Sequence, residues 1–461
     1  MAKILLVLPI ALALPVVSAR GETLAEAWAI ALQINDNLQA QQSESVAQGY
    51  NAAAARSARL PTVRTFNVDV GLSNTPGFKF NTAALGGGTV GGTAAAPAVG
   101  TVPILGADQT NLPFSLTYGT VPLYTGGRIR RSIDAADARV GAQRSDEFRT
   151  ALDLKLTVAE AYIGVLRAHR NLETAQSNVR QLESFARDIL NRRREGLAIR
   201  SDELAAEVSL ANARLGAIRS RTGLESAQAT YNRYLGRPQE VAVSLDELTT
   251  LPADVNWQEV ARQAIAASAG GLNEAEVRAM TDAALRGRPE LTGLAEQARA
   301  LGAQADATRA GVLPQVAFTG GLFWVGNNKQ APQGIGFAGV VADWTITDGG
   351  ASRRRATAYR QQELATLRRR ADAAADIALQ VRTRWLDLQT ARQSIPVARA
   401  ALAQAEENVN VVNDRYRQQL SNYTEVLDAE LRRVQAQSSF YNATYDENLA
   451  LFRLRRAVGD L

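Results

Sequence analysis

The sequence predicts an α+β fold, duplicated within one chain, in which strands and not helices would cross a membrane. Three observations predict it. Leu60-Pro61 falls on Leu313-Pro314 and Ala31-Leu32 on Ala284-Leu285 at an offset of 253, while Gly126-Gly127 falls on Gly349-Gly350 and Ala206-Glu207 on Ala429-Glu430 at 223, so one unit has been used twice. Period-2 apolar alternation follows each Leu-Pro, and long stretches with apolar residues every three or four positions follow each Gly-Gly. After residue 19 no window approaches the roughly 18 to 20 consecutive apolar residues of a transmembrane helix, so any spanning segment would be a β-strand.

The elements follow in chain order. Residues 1–19 read as a signal peptide: Lys3 precedes the apolar run ILLVLPIALALPVV, and Val17-Ser18-Ala19 offers small residues for cleavage before Arg20, which implies export. The first repeat, 20–237, opens with a helical run ended by Pro61, which lacks the N–H a helix interior needs and biases the preceding residue to extended geometry. A β-hairpin is expected over about 62–122. Phe66, Val68, Val70 and Leu72 alternate with Asn67, Asp69 and Gly71, and Phe114, Leu116 and Tyr118 alternate with Ser115, Thr117 and Gly119. Between them, 74–111 is rich in Gly, Ala, Thr and Pro, the composition of a long extracellular loop. Long helices are expected over 128–236, with an apolar seam through Leu172, Ala175, Val179, Leu182, Ala186 and Ile189.

Residues 238–280 do not follow the repeat and form an equatorial linker between the halves. The second repeat, 281–461, carries a shorter hairpin over about 315–346, in which Val316, Phe318, Leu322 and Trp324 share one face and Gln315, Ala317 and Thr319 the other. Long helices over 352–458 complete it. Their seam runs through Leu364, Leu367, Ala371, Ala374, Ala378, Val381, Trp385 and Leu388, then after a short step through Ala391, Ile395, Ala398, Leu402, Ala405, Val409, Val412 and Tyr416. That is a coiled-coil pattern with many small residues and a phase break near Pro396.

Composition excludes several classes. The absence of cysteine removes disulfides, thiolate metal sites and a cysteine-anchored lipid. His169 is the only histidine and lies in a helical run, so no metal or nucleophile–base constellation presents itself, and neither an enzyme nor a cofactor is expected. The formal net charge of +5 is small for 461 residues, and the arginines are spread along helices, so nucleic acid is not an expected partner.

Four strands cannot close a membrane barrel, because open edges in lipid leave backbone groups unpaired. Three chains would supply twelve strands, whereas two would supply eight and fill the lumen with side chains. The alternative, a periplasmic coiled-coil spacer without a pore, has no use for two amphipathic hairpins.

The doubled Leu-Pro boundary, PLYTGGR (122–128) and DWTITDGGASR (343–353), then REGLAIRSDELAAE (194–207) and RQQLSNYTEVLDAE (417–430), together resemble the TolC family of outer-membrane efflux channels over nearly the whole chain after the signal peptide. The resemblance implies a membrane α+β homotrimer. Its twelve-stranded β-barrel would sit in the outer membrane, continuous with an α-helical barrel that crosses the periplasm to a periplasmic adaptor and an inner-membrane pump. It implies a passive exit duct of a tripartite efflux or type I secretion system. The helix-to-helix turns, with Arg194, Gly196 and Leu197 in one repeat and Arg417, Gln419 and Leu420 in the other, match the family's adaptor-docking tips, although Gln419 stands where the family usually has Gly. Glu425 and Asp428, three apart on one helical face, match its acidic ring at the periplasmic aperture. Tyr416, Asp202 and Ser201 match its aperture latch. Ser421 stands where that latch often has Arg, which leaves it weaker unless Arg200 or Arg417 substitutes.

Overall fold

The computed structural model describes residues 21–71, 111–196, 199–248, 272–326, 332–418 and 420–461. The signal peptide, nearly all of the 74–111 loop and much of the linker lie outside them, as do Leu197 and Gln419. The elements are α1 (Leu24–Ile34), α2 (Asp36–Ser57), β1 (Thr62–Gly71), β2 (Asn111–Tyr124), α3 (Arg128–Arg194) and α4 (Arg200–Tyr234). After the linker come α5 (Leu272–Gly287), α6 (Pro289–Ala310), β3 (Gln315–Val325), β4 (Gly334–Asp343), α7 (Ala351–Arg417) and α8 (Tyr423–Val458). The duplication is written in these boundaries. α2 and α6 end at Ser57 and Ala310, and β1 and β3 begin at Thr62 and Gln315, each at the 253 offset. α3 and α7 are 67 residues each and start and stop at the 223 offset.

Where the sequence leads one to expect a single helix before each hairpin, there are two. Asn35 ends α1, and its side-chain oxygen then accepts from the N–H groups of Asn37 (3.1 Å) and Leu38 (3.2 Å) at the start of α2. In the second repeat Arg288 stands at the equivalent place, followed by Pro289 at the first position of α6, where its missing N–H costs nothing. α7, by contrast, continues through Pro396.

The chain divides into two compact units. One comprises Gln41–Glu147 and Glu290–Ala373 and contains a four-stranded antiparallel sheet in the order β1-β2-β3-β4. Phe66 pairs with Leu116, Leu116 with Phe323, and Phe323 with Ile335. Side chains alternate across a pleated sheet, so this register assigns the paired residues to faces, up to the irregularity between Pro122 and Tyr124. Phe66, Val68, Phe114 and Leu116 lie on the face that also carries Phe323 and Phe337, and Phe114 stacks on Phe323 at 6.2 Å. Phe318, Leu322 and Trp324 lie on the opposite face with Thr65 and Thr117, whose hydroxyls meet at 3.1 Å. The apolar sets read from the two hairpins therefore do not coincide in the joined sheet, because pairing between β2 and β3 matches even positions with odd ones.

Each strand pair returns to helix through Gly-Gly. Gly126, Gly127, Gly349 and Gly350 all have positive φ, between 57° and 84°, which side-chain-bearing residues adopt only at a cost. In the second turn Asp348 accepts from the N–H of Gly350 (2.9 Å) and of Ser352 (2.7 Å). The Ser352 hydroxyl above all, and then these N–H groups, hold its carboxyl below the usual range.

The other unit comprises Met1–Ala40, Phe148–Pro289 and Ala374–Leu461. Its main core joins Leu24, Ala27 and Ala31 of α1, Val158, Tyr162 and Ile163 of α3, Tyr231 at the end of α4, and Phe452 of α8. The start of the linker is tied to it: Tyr162 donates to the carbonyls of Glu22 (2.8 Å) and Asp246 (2.6 Å), and Arg237 makes a bidentate pair with Glu22. On the seam of α7, Val381, Trp385, Leu388, Ala391, Val409 and Val412 are buried as the periodicity predicts, and Ile395, Ala398, Leu402 and Ala405 are half-buried. Leu364 and Leu367 are instead exposed while Thr366 is buried. The seam in that stretch lies one position away from the row that the leucines suggested.

Candidate functional site

The turns between the paired helices bring the sequence-marked residues to one end of the first-described core's unit. A second, smaller core there joins Phe185 and Ile189 of α3, Ala206 of α4, Val409, Val412 and Tyr416 of α7, and Tyr423, Val426 and Ala429 of α8. All four long helices thus meet at this end within one chain. Fully burying apolar side chains such as Ile189 and Val426 stabilises the junction by roughly 1.5–3 kcal/mol each.

The first tip ends α3 at Arg194. Glu195 and Gly196 complete the turn, with the N–H of Gly196 donating to Arg193 (3.0 Å) and φ of Gly196 at +79°. Chain direction is restored at Ile199, which is exposed. In the second tip Gln418 donates to Asp414 and Leu420 to Arg415 (2.8 Å). Asn422 then caps α8, its side chain accepting from the N–H of Glu425 (3.0 Å). Leu420 is 65% exposed, and among the described residues Arg417 reaches only Asp414, at 3.9 Å. Both tips present an unburied aliphatic side chain beside arginine, a surface suited to another helix end.

The acidic residues differ in their surroundings. The carboxylate of Glu425 accepts from the Ser421 hydroxyl (2.7 Å). Asp428 accepts from Arg432 one turn on (2.9 Å), both exposed. Deeper, Glu430 is fully buried and accepts from Arg433 (2.8 Å) and Gln181 (3.3 Å).

Tyr416 packs against Tyr423 with ring centroids 5.8 Å apart, and the guanidinium of Arg192 lies 5.0 Å from its ring centroid. Arg192 is itself held by Asp188 (2.9 Å). Burial pushes the hydroxyl pKa of Tyr416 up, against the nearby positive charge of Arg192 and with help from Asp202 and Asp188. Burial does the same, more strongly, for Tyr423, whose hydroxyl has no hydrogen-bond partner among the described residues. Tyr416 and Asp202 are thus near enough to interact through charge, and no hydrogen bond joins them within the chain among the described residues. Ser201 is exposed on the first turn of α4. The two arginines considered as substitutes for the absent latch arginine are engaged elsewhere: Arg200 pairs with buried Glu203 (2.8 Å) and Arg417 with Asp414. Arg192 is the arginine on Tyr416. Sequence reasoning missed it; the only local signal was its spacing of four from Asp188.

Comparison with known proteins follows the same architecture. A family model described as outer membrane efflux protein matches residues 29–237 and 280–460. The chain belongs to the outer membrane efflux protein family. The two matched segments are the two repeats, separated by the linker. The outer membrane efflux protein BepC of Brucella suis biovar 1 (strain 1330) is 23% identical over 448 residues, covering 96% of this chain and 86% of BepC. Among solved structures, the outer-membrane channel OprN is similar with a TM-score of 0.74 at 18% identity, over 96% of this chain and 93% of that one. VceC of Vibrio cholerae is similar with a TM-score of 0.75 at 15% identity, over 95% and 96%. These are TolC-like outer-membrane channels. The efflux protein described here is accordingly a channel and not an enzyme, located in the outer membrane and extending into the periplasm.

Proposed function

We propose that this efflux protein is the exit duct of a tripartite efflux or type I secretion system, a passive homotrimer through which small molecules leave across the periplasm and outer membrane. The observation that carries the reading is the open sheet: β1 and β4 are its two edges, and in an outer-membrane chain those backbone groups need partners. Three copies joined β4 to β1 provide them and give twelve strands. A periplasmic spacer without a pore would leave that sheet without a role.

In this reading the tips at Arg194, Gly196 and Leu197 and at Arg417, Gln419 and Leu420 dock a periplasmic adaptor, through which the inner-membrane pump delivers its cargo. Glu425 and Asp428, repeated three times about the axis, line the aperture and favour cations. Arg432 offsets part of the charge of Asp428, so Glu425 carries the larger share of that preference. Tyr416 and Asp202, with Ser201 beside them, hold neighbouring helix pairs together when the duct is closed. The double variant Tyr416→Phe with Asp202→Ala should raise single-channel conductance in planar bilayers. Unchanged conductance would remove the latch from the account.

A further inference from the structure

At the N-terminus of a helix the exposed N–H groups leave a partial positive charge, so acidic residues are favoured in the first turn and basic ones are not. α1, α2, α4, α5, α6 and α8 obey this, each with an acidic residue in its first turn. α3 and α7 have none. They open instead with Arg128, Arg130 and Arg131, and with Arg353, Arg354 and Arg355, all exposed. Arg130 and Arg131 fall on Arg353 and Arg354 at the 223 offset. The same unfavourable placement has thus been kept in both repeats, immediately after the strands.

The chain does not neutralise these arginines itself. The guanidinium groups of Arg130, Arg353, Arg354 and Arg355 meet no carboxylate among the described residues. Arg131 reaches Asp134 only at 3.8 Å, Asp137 is held by Arg56 (2.7 Å), and Asp348 is committed to backbone N–H groups. Asp343 at the end of β4 adds one charge against six. At the strand ends next to the arginines stand exposed apolar and aromatic residues: Leu60, Leu123, Tyr124, Leu313, Trp344 and Ile346, the last 80% exposed. Trp344 donates its indole N–H to the carbonyl of Val312 (3.2 Å), which fixes the ring in place. Aromatic girdles mark the level of lipid headgroups in membrane barrels, and basic residues just beyond the apolar span attract anionic lipid.

We propose that the arginines opening α3 and α7 bind the phosphate groups of anionic phospholipids in the periplasm-facing leaflet of the outer membrane, and so set the depth at which the sheet sits. The girdle supplies the level, the arginine forks supply bidentate donors for phosphate, and the two helix N-termini add to the same field. The lipid removes the repulsion that the chain leaves standing.

The test uses the detergent-extracted full-length protein incubated in mixed micelles of phosphatidylglycerol and phosphatidylethanolamine, with the lipid retained after purification then quantified. The wild type should retain phosphatidylglycerol preferentially, and raising the salt should weaken that preference. Neutralising Arg130, Arg353 and Arg354 together with glutamine should reduce the preference at least about tenfold, given the energy of a basic residue near an anionic surface. The corresponding lysine triple variant should keep most of it. Equal retention of the two lipids by the wild type, a preference indifferent to salt, or a preference undiminished in an assembled glutamine variant would each overturn the proposal. Displacement of phosphatidylglycerol by inorganic phosphate well beyond that by sodium chloride at the same ionic strength would overturn it too, by identifying a free-phosphate site. If the triple variant does not assemble, Arg353→Gln alone, at an exposed position, should lower the preference in part, and an undiminished preference in that variant would overturn the proposal.

Discussion

Glu430 and Glu207 occupy the same position in the two repeats, each following a buried alanine, Ala429 and Ala206. Their surroundings differ: Glu430 is buried with Arg433 and Gln181 on its carboxylate, whereas Glu207 is exposed. Removing one partner of a buried ion pair leaves the other uncompensated, at a cost of about 3–5 kcal/mol, while an exposed site changes stability by roughly 0.5 kcal/mol or less. Glu430→Ala should therefore lower the apparent melting temperature in detergent clearly, and Glu207→Ala should leave it nearly unchanged. Equal effects would show that the burial of Glu430 carries no energetic weight. At this scale the sequence was only partly legible. The spacing did place Glu425 and Asp428 at the start of α8 and the tip residues at the turns between the paired helices. It did not mark Arg192, because the contact Arg192 makes is with Tyr416, 224 positions away in the sequence, and nothing local encodes that meeting.

Among the elements, the junctions were the most legible. Pro61, Pro314 and the Gly-Gly pairs act through their own covalent geometry, so the chain must end a helix or reverse wherever they stand. The breaks at Asn35 and at Arg288-Pro289 went unread, since a single Asn capping the next helix leaves the apolar periodicity intact. The sheet faces were also not legible, because pairing between β2 and β3 joins segments about 200 residues apart and parity is set there. The two turns differ in one testable respect. A Cβ added at Gly126 would lie 2.7 Å from the Leu313 Cβ, whereas at Gly349 it would meet nothing within 4 Å. Both positions have positive φ, which costs a non-glycine residue roughly 1–2 kcal/mol. Gly349→Ala should lose about that much apparent stability, and Gly126→Ala should lose more, with a lower yield of assembled protein. The reverse order in thermal unfolding would contradict the assignment of Gly126 to a closely packed turn.

For the whole molecule, a duplicated chain with an open four-stranded sheet and two 67-residue helices solves one physical problem. In the proposed trimer, three such chains hide their strand edges from lipid and carry a conduit away from the membrane. Everything proposed for the aperture, the tips and the arginine band depends on three chains closing that sheet. The measurement that tests this most directly is the native mass and three-dimensional image of the protein extracted from the outer membrane. A trimer with a closed twelve-stranded barrel leading into a hollow helical tube is the predicted result. A monomer or dimer with β1 and β4 left unpaired would contradict the account.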